Sequence, residues 1–347
     1  MSGLKMSDKM IIGYIGNGKS ANRYHLPFVL ERKDSITVKT IYSVNLERDQ
    51  WPQIDGIQYT QELADLLKDD EIEAVIITTP SQFHYEMAKK AILAGKHCVV
   101  EKPFTETLEQ AKELLELASQ MGVVVQSYQN RRFDSDFLTV QKVIDSGVLG
   151  DLLEIEMHYD YFRPQVPESI NHFDKVNGYL FGHGCHTLDQ IISVFGTPDS
   201  VHYDVKQILG HGRMNDYFDL DLYYGKLKVS VKSSYFRIKE RPSFVVYGKK
   251  GMFVKEKKDK QEEHLKLGYM PHNPDFGIDL PADYGVLTYI DDAGDFNEQR
   301  VISVNGDYGR YYDALFATLK NGKERLVTPE QILNQISLLE NGVKELY

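Results

Sequence analysis

Residues 10–21 read MIIGYIGNGKSA, an apolar run that leads into a glycine-rich turn. The first six residues are compact and apolar, as in strands of a parallel sheet that is covered on both faces. The turn reads GxGxxA: Gly16 permits a tight turn, Gly18 lets backbone approach a pyrophosphate, and Ala21 allows a helix to pack closely on the strand. The pattern predicts a strand, a turn and a helix in that order.

The same turn predicts a binding site for a dinucleotide. A helix that starts after the turn offers free N–H groups and a partial positive charge to a pyrophosphate. A turn that binds nothing is the alternative, since glycines occur in many turns, but a place after the first strand of a βαβ series favours the dinucleotide. The residues expected at the cofactor are Gly16, Asn17, Gly18, Lys19 and Ser20.

Strand-like and helix-like patterns alternate from this turn up to residue 126. Such alternation indicates βαβ units and a parallel sheet. The predicted helix at 108–121 is the clearest, because Thr107 and Gln110 form a capping box and Gly122 ends it. The predicted strands are residues 10–15, 37–42, 74–79, 97–100 and 123–126, and the other helices are 62–67 and 85–94.

The pattern changes after Ser127. Several strand-like runs follow one another with only turns between them, which indicates antiparallel pairing rather than βαβ crossovers. The chain therefore divides into a dinucleotide-binding domain, 1–127, and a second domain, 128–347, whose C-terminal helices are free to pack back on the first. The predicted elements are helices at 136–145 and 184–195, strands at 152–161, 200–207, 218–224, 227–235 and 244–247, a solvated loop or hairpin at Lys255–Lys266, and helices from residue 308 onward.

Length and composition exclude several classes of protein. Because a single core stops growing at roughly 250–300 residues, a chain of 347 residues is expected to form two domains. No apolar run is long enough to span a membrane, and the first ten residues lack the apolar segment of a secretory signal. Two cysteines cannot form a disulfide framework, and the His, Cys and Asp residues of 183–189 lie in one short stretch, so no metal is expected. A net charge of -11 argues against nucleic acid and anionic membranes as partners, and a cytosolic protein is expected.

The end of the second strand bears on the choice between NAD and NADP. An NAD-preferring fold carries Asp or Glu there, to bind the ribose hydroxyls. This chain reads IYSVN at 41–45, without an acid, and Arg48 follows. A hydroxyl at Ser43 with a nearby arginine suits a 2′-phosphate, so NADP is preferred over NAD. The alternative is that Ser43 only begins a turn.

Two residues qualify as catalytic. Lys102 directly follows the strand at 97–100, at the carboxyl edge where open α/β sheets bind ligands, and could stabilise negative charge on a substrate oxygen. His186 lies in the first turn of the helix at 184–195, whose N-terminus disfavours the imidazolium and so favours the neutral base. Asp189, one turn on, could orient His186 or cap the helix. The alternatives are a surface lysine at a strand end and a histidine near a turn, neither with a catalytic role.

Three stretches together resemble the Gfo/Idh/MocA family of nicotinamide-dependent sugar and polyol dehydrogenases. They are GNGKSANRYHLP at 16–27, TTPSQFHYEMAKKAILAGKHCVVEKPF at 78–104 and GHGCHTLDQIISVFGTPDSV at 182–201, and the likeness extends over nearly the whole chain. The resemblance implies an N-terminal Rossmann domain and an α+β domain with a large, mainly antiparallel, open-faced sheet. Because that sheet often mediates oligomerisation in the family, a homodimer or homotetramer is expected.

The resemblance also implies an activity and its residues. The chain is expected to be an NAD(P)-dependent dehydrogenase that acts on a secondary alcohol of a sugar or an inositol-like cyclitol. Lys102 would contact the substrate and the nicotinamide, and His186 would be the catalytic acid and base. Glu101 would lie beside the nicotinamide ribose, and the Lys102–Pro103 peptide would be cis, as it often is in relatives. Along the cofactor would lie Thr79, Pro80 and His84.

One position departs from the family pattern. Many family dehydrogenases read DxGxH, with an aspartate four residues before the histidine, and here that position is Gly182. His183, His172, Asp174 or a water molecule could take the place of the aspartate. The departure leaves a second function open: a sensor or regulator of the same fold that binds the cofactor and has weakened catalysis.

The segment Tyr128–Asp134 is similar to an aromatic-x-Asn-Arg-Arg segment in scyllo-inositol dehydrogenases. Asn130 and Arg131 present fixed donors that suit the vicinal hydroxyls of a polyol. The alternative is that the arginines pair with the acids that follow them, and for Arg132 both interpretations stay open. Further candidates for the substrate site are Tyr161 and Arg163.

Overall fold

A computed structural model describes residues 9–165, 174, 176 and 178–346. The chain forms two compact units. The first comprises the chain up to Asn130 together with His264–Phe276 and Tyr308–Ile336, and the second comprises Arg131–Glu263, Gly277–Asp307 and the chain from Ser337. Both units are therefore built from segments that are distant in sequence.

The first unit is built on six strands. They are β1 Met10–Ile15, β2 Ile36–Tyr42, β3 Gln58–Thr60, β4 Ala74–Ile77, β5 His97–Val100 and β6 Val125–Ser127. Their order across the sheet is β3-β2-β1-β4-β5-β6, and all neighbours pair in parallel. This order is that of the Rossmann fold, so the predicted fold is confirmed. The sequence pattern does not predict β3, because alternation cannot show in three residues.

Short helices follow the strands of this sheet. The helix at Leu108–Met121 begins and ends where the sequence predicts. Thr107 Oγ1 accepts a hydrogen bond from the Gln110 N–H at 3.1 Å, and Gly122 takes a φ of 67°. The reciprocal hydrogen bond of the cap comes from the Glu106 N–H at 3.2 Å, one residue before the expected donor. The helices that follow these strands are α1 Leu26–Leu30, α2 Leu63–Leu67, α3 His84–Leu93 and α4 Leu108–Met121. A π-helical turn at Ser20–His25 precedes α1.

The second unit contains a sheet of eight strands. They are β7 Leu152–His158, β8 Ser200–Lys206, β9 Tyr217–Tyr224, β10 Leu227–Ser234, β11 Phe244–Gly248, β12 Gly251–Lys255, β13 Gly285–Ile290 and β14 Phe296–Val301, in the order β14-β13-β12-β11-β7-β10-β9-β8. All neighbours are antiparallel except β7 and β10, so a mainly antiparallel sheet is confirmed. Two helices, α5 Ser135–Asp145 and α6 Cys185–Phe195, pack on β10, β11 and β12.

The charged stretch from Lys255 to Lys266 differs from its prediction as a solvated loop or hairpin. Lys255 ends β12 and is fully buried, with Nζ 2.8 Å from a carboxylate oxygen of Asp279 and 2.8 Å from the Asp283 carbonyl oxygen. A helix, α7 Gln261–Lys266, ends the stretch. Charge alone could not reveal this, because the carboxylate that makes burial of the lysine tolerable lies 24 residues along the chain.

The C-terminal part of the chain is helical, as predicted, with α8 at Arg310–Asn321 and α9 at Pro329–Val343. Helix α8 packs on β1, where the hydroxyls of Tyr14 and Tyr312 lie 3.0 Å apart. Among the described residues, no helix combines the length and the apolar character that crossing a membrane requires.

Candidate functional site

The glycine-rich turn after β1 has the backbone that a dinucleotide requires. Gly16 takes a φ of +116°, and a Cβ at that position would come within 2.9 Å of the Thr78 backbone carbon. Gly18 is exposed, and a Cβ there would meet no atom of the described residues within 4 Å. The turn is thus crowded on the side of β4 and open at Gly18, where backbone must be accessible to bind a pyrophosphate. The residues present fit such a group.

The π-helical turn that follows directs two side chains to one carboxylate. Ser20 Oγ donates to Oε1 of Glu101, and His25 Nε2 lies 2.9 Å from the same oxygen. Because i→i+5 hydrogen bonding brings residues five apart to one side, Ser20 and His25 can both reach Glu101. The N–H of Lys102 donates to the other carboxylate oxygen at 2.8 Å. Glu101 therefore joins the glycine-rich turn to the backbone of the candidate catalytic lysine.

The carboxyl group of Glu101 is held ionised. Burial by itself would raise its pKa, but the hydrogen bond from His25, the charges of His25 and Lys102, and the hydrogen bond from Ser20 outweigh burial and lower the pKa to about 2. The Lys102–Pro103 peptide that follows is cis, as the family resemblance implies.

His25 continues the network into the core of the first unit. It is fully buried, stacks on the Tyr128 ring at 3.9 Å between centroids, and has Nδ1 2.5 Å from the Tyr312 hydroxyl. Because a carboxylate only accepts hydrogen bonds, the nitrogen that faces Glu101 carries a proton. The orientation of the imidazole is thus fixed on both of its nitrogens and on one ring face.

A second histidine connects the ends of β4 and β5. His84 is buried, with Nδ1 2.8 Å from the Pro103 carbonyl oxygen and Nε2 2.9 Å from that of Thr79. Burial lowers its pKa. Thr79 Oγ1 is buried and has no hydrogen-bond partner among the described residues, whereas Pro80 is exposed.

The loop after β2 holds an acid that sequence position does not reveal. Ser43 Oγ donates to Asp49 Oδ1 at 3.0 Å, and Asn17 Nδ2 donates to Asp49 Oδ2 at 2.7 Å. Arg48, which is expected here, and Lys19, which is expected at the glycine-rich turn, are both exposed. Neither the last residues of β2 nor Ser43 is an acid. The turn that follows nevertheless places Asp49, six residues after Ser43, at the end of β2.

In the second unit, His186 is the second residue of α6 and is 8% exposed. Asp189, which the sequence offers as its orienting partner or as a helix cap, instead pairs with Arg132: both distances, from Nε and Nη2, are 2.7 Å. Burial raises the pKa of Asp189, and the Arg132 charge opposes that rise. Arg132 therefore has a buried carboxylate partner 57 residues further along the chain, beyond the acids that directly follow it.

The other polar residues expected at the substrate have mixed surroundings. Arg131 contacts the Asp134 carboxylate at 3.3 Å and that of Glu262, and its guanidinium lies 5.1 Å above the Tyr159 ring. Arg163 is exposed, with its guanidinium 4.4 Å above the ring of half-buried Tyr161, and Asn130 is buried.

Gly182 stands where the family carries an aspartate. Among the described residues, no atom lies within 4 Å of a Cβ built at Gly182. His183 is surrounded by the rings of Tyr159, Tyr161 and Tyr179, at centroid distances of 5.2, 5.1 and 4.2 Å. Among the other substitutes considered, Asp174 Oδ1 accepts a hydrogen bond from the Val176 N–H at 3.0 Å, and His172 lies outside the described residues.

Sequence reasoning missed His25, Asp49 and Tyr312. The signal for His25 is its spacing of five from Ser20, which becomes informative only if the helix starts as a π-turn. Asp49 carries the signal of an acid shortly after the second strand, although not at its last residue. Tyr312 lies more than 280 residues from its partner His25, and no local pattern identifies it.

Comparisons with known proteins agree over nearly the whole chain. The family model "Oxidoreductase family, NAD-binding Rossmann fold" matches residues 10–129, and "Oxidoreductase family, C-terminal alpha/beta domain" matches residues 141–345. The uncharacterized oxidoreductase YhhX of Escherichia coli (strain K12) is 44% identical over 333 residues, covering 96% of this chain and 95% of the relative. The scyllo-inositol 2-dehydrogenase (NADP(+)) IolW of Bacillus subtilis (strain 168) is 34% identical over 347 residues, covering 99% and 96%.

A solved structure is equally similar. The crystal structure of an oxidoreductase from Bacillus cereus matches with a TM-score of 0.90 at 46% identity, covering 96% of this chain and 95% of the other. With both halves matched by its models, the chain belongs to the Gfo/Idh/MocA oxidoreductase family.

Proposed function

We propose that this chain is a nicotinamide-dinucleotide-dependent dehydrogenase that interconverts a secondary alcohol and a ketone on a sugar or an inositol-like cyclitol. The observation that carries the proposal is the Glu101 carboxylate, which contacts Ser20 and His25 after the glycine-rich turn and the N–H of Lys102. One buried acid thus contacts both the turn that suits a dinucleotide and the backbone of the lysine that suits a substrate oxygen. The name of the relative IolW supports the choice of a cyclitol.

The residues of the first unit would hold the cofactor. Backbone N–H groups around exposed Gly18 suit the pyrophosphate, and the Thr79 hydroxyl offers a hydrogen bond that no described residue takes. When bound, the nicotinamide would accept or return the hydride. The sequence favours NADP on the basis of Ser43 and Arg48, as does the name of IolW. Also assigned to the cofactor are Gly16, Asn17, Lys19, Ser20, Pro80, His84 and Glu101.

Two residues would act on the substrate. The Lys102 ammonium would donate to the reacting oxygen and stabilise negative charge on it, and His186 would take the hydroxyl proton during oxidation and return it during reduction. Asn130, Arg131 and Arg163 would bind the other hydroxyls, with Arg131 already oriented by two carboxylates. We also expect a homodimer or homotetramer, to be measured by light scattering.

The proposal is tested by separating cofactor binding from turnover. The wild-type chain is titrated with NADH and NADPH by fluorescence, and nicotinamide absorbance is followed with a panel of inositols, aldoses and their keto forms. Lys102→Met and His186→Gln are expected to keep a bound dinucleotide and to lose on the order of 100-fold or more in kcat on the substrate identified. Either variant turning over at the wild-type rate contradicts the assigned roles.

The same experiment tests the alternative of a sensor, which the glycine at position 182 in place of the family aspartate favours. Tight dinucleotide binding with no turnover across the panel would support the sensor. Absence of dinucleotide binding would contradict both functions.

A further inference from the structure

We propose that Asp49 selects the adenosine end of the cofactor, favouring a free ribose 2′-hydroxyl and disfavouring a 2′-phosphate. The inference rests on the proposed function only in that the chain must bind a nicotinamide dinucleotide. It reverses the preference for NADP that the sequence around Ser43 suggests. Its basis is the position of one carboxylate, which the residue types at the end of β2 do not reveal.

The carboxylate of Asp49 bridges the two segments that hold an adenosine ribose in a Rossmann fold. Its Oδ2 accepts from Asn17 Nδ2 at 2.7 Å, and its Oδ1 accepts from Ser43 Oγ at 3.0 Å. Asn17 lies in the glycine-rich turn, and Ser43 follows the last residue of β2, the position where an acid reads the ribose hydroxyls. Both donors are 5% exposed, so this bridge is built into the fold.

Neighbouring contacts fix the orientation of the Asn17 amide and the path of the chain that leads to Asp49. Asn22 Nδ2 donates to Asn17 Oδ1 at 2.9 Å, so the amide of Asn17 must direct its own NH₂ group to Asp49. The chain from Ser43 to Asp49 makes a compact turn, because Asn45 Oδ1 accepts from the Glu47 N–H at 3.1 Å and caps a single 3₁₀ turn, Leu46–Arg48. The acid is therefore returned to the end of β2.

The hydrogen-bond directions decide which group this site accepts. Ser43 donates its only hydroxyl proton to Asp49, so that proton is not available to a phosphate. An ionised carboxylate only accepts hydrogen bonds, which suits a ribose hydroxyl and repels a phosphate that carries close to two negative charges. Lys19 and Arg48 would attract that phosphate, but both are exposed, and charge interactions in water are weak. The fixed carboxylate is expected to dominate.

The test compares dissociation constants for NADH and NADPH by isothermal titration calorimetry, so that no substrate is needed. The wild-type chain is expected to bind NADH at least tenfold more tightly. In Asp49→Asn the ratio should move toward NADPH by about tenfold or more, or about 1.4 kcal/mol, because the amide is uncharged and can donate. Asp55→Asn, an exposed acid between β2 and β3, is the matched control and should leave the ratio unchanged.

A second variant keeps the test informative if Asp49→Asn does not fold. Ser43→Ala keeps the Asp49 carboxylate, so this variant should still prefer NADH. If Ser43 were instead a ligand of the 2′-phosphate, Ser43→Ala would lose affinity for NADPH selectively. An unchanged ratio in Asp49→Asn, or a wild-type chain that binds NADPH more tightly, overturns the inference and leaves the proposed function standing. A wild-type chain that binds neither dinucleotide overturns the proposed function itself.

Discussion

Replacing Glu101 by Gln tests whether its buried carboxylate holds the candidate site together. All three of its neighbours donate to it: Ser20, His25 and the N–H of Lys102. An amide can accept at one end only, so its NH₂ group must face at least one of these donors. The drop in pKa from an ordinary 4.5 to about 2 corresponds to about 3 kcal/mol of folding free energy, which this variant should lose at pH 7.

The assay is thermal unfolding followed by circular dichroism at several pH values. A loss of about 3 kcal/mol should lower the melting temperature of Glu101→Gln by roughly 5–10 °C at pH 7. Because the folded-state pKa of the acid is depressed, its stabilisation is present above pH 4.5 and is lost as the pH falls toward 2, so the two melting temperatures should converge in that range. Glu116→Gln, the same change at an exposed carboxylate, should leave the melting temperature unchanged. Equal stability of Glu101→Gln and wild type at pH 7 would refute the reasoning.

The two glycines of the turn should respond differently to alanine. Gly16→Ala should lower the melting temperature and abolish dinucleotide binding, because the new Cβ meets backbone at 2.9 Å. Gly18→Ala should melt like wild type and lose only affinity for the dinucleotide, measured by fluorescence titration. Arg132→Met should cost about 3–5 kcal/mol in denaturant unfolding, because Asp189 stays buried without its charge partner. Adding Asp189→Leu to that variant should restore part of the loss, and no restoration would show that the pair is not the cause.

The local patterns of the sequence were sufficient for most of the Rossmann unit. The compact apolar run at 10–15, the turn at Gly16 and the capped helix at 108–121 each depend on residues within a few positions of one another, and each lies where predicted. Local patterns did not predict strands β12, β13 and β14, which lie on either side of the charged stretch that ends at Lys266. There the decisive contact is between Lys255 and Asp279, and no local pattern shows that a lysine will be buried.

The polar contacts of the candidate site were harder to predict for the same reason. Asp189 lies one turn after His186 and was open to a local role, yet its partner is Arg132, 57 residues earlier. A helical wheel with 3.6 residues per turn separates Ser20 from His25, and only the π-turn brings both to Glu101. Sequence spacing therefore nominates candidate residues but does not show which of them pair.

Two acids of the first unit, Asp49 and Glu101, determine which groups of the glycine-rich turn remain available to a ligand. Asn17 donates to Asp49 and Ser20 donates to Glu101, so the side chains that the motif offers to a pyrophosphate already bind carboxylates. In the proposed complex the pyrophosphate would be left to the backbone N–H groups near Gly18, and an acid at each end of the turn would be available to accept from ribose hydroxyls. Because these contacts already hold the turn, we expect cofactor binding to lose little free energy to ordering the chain.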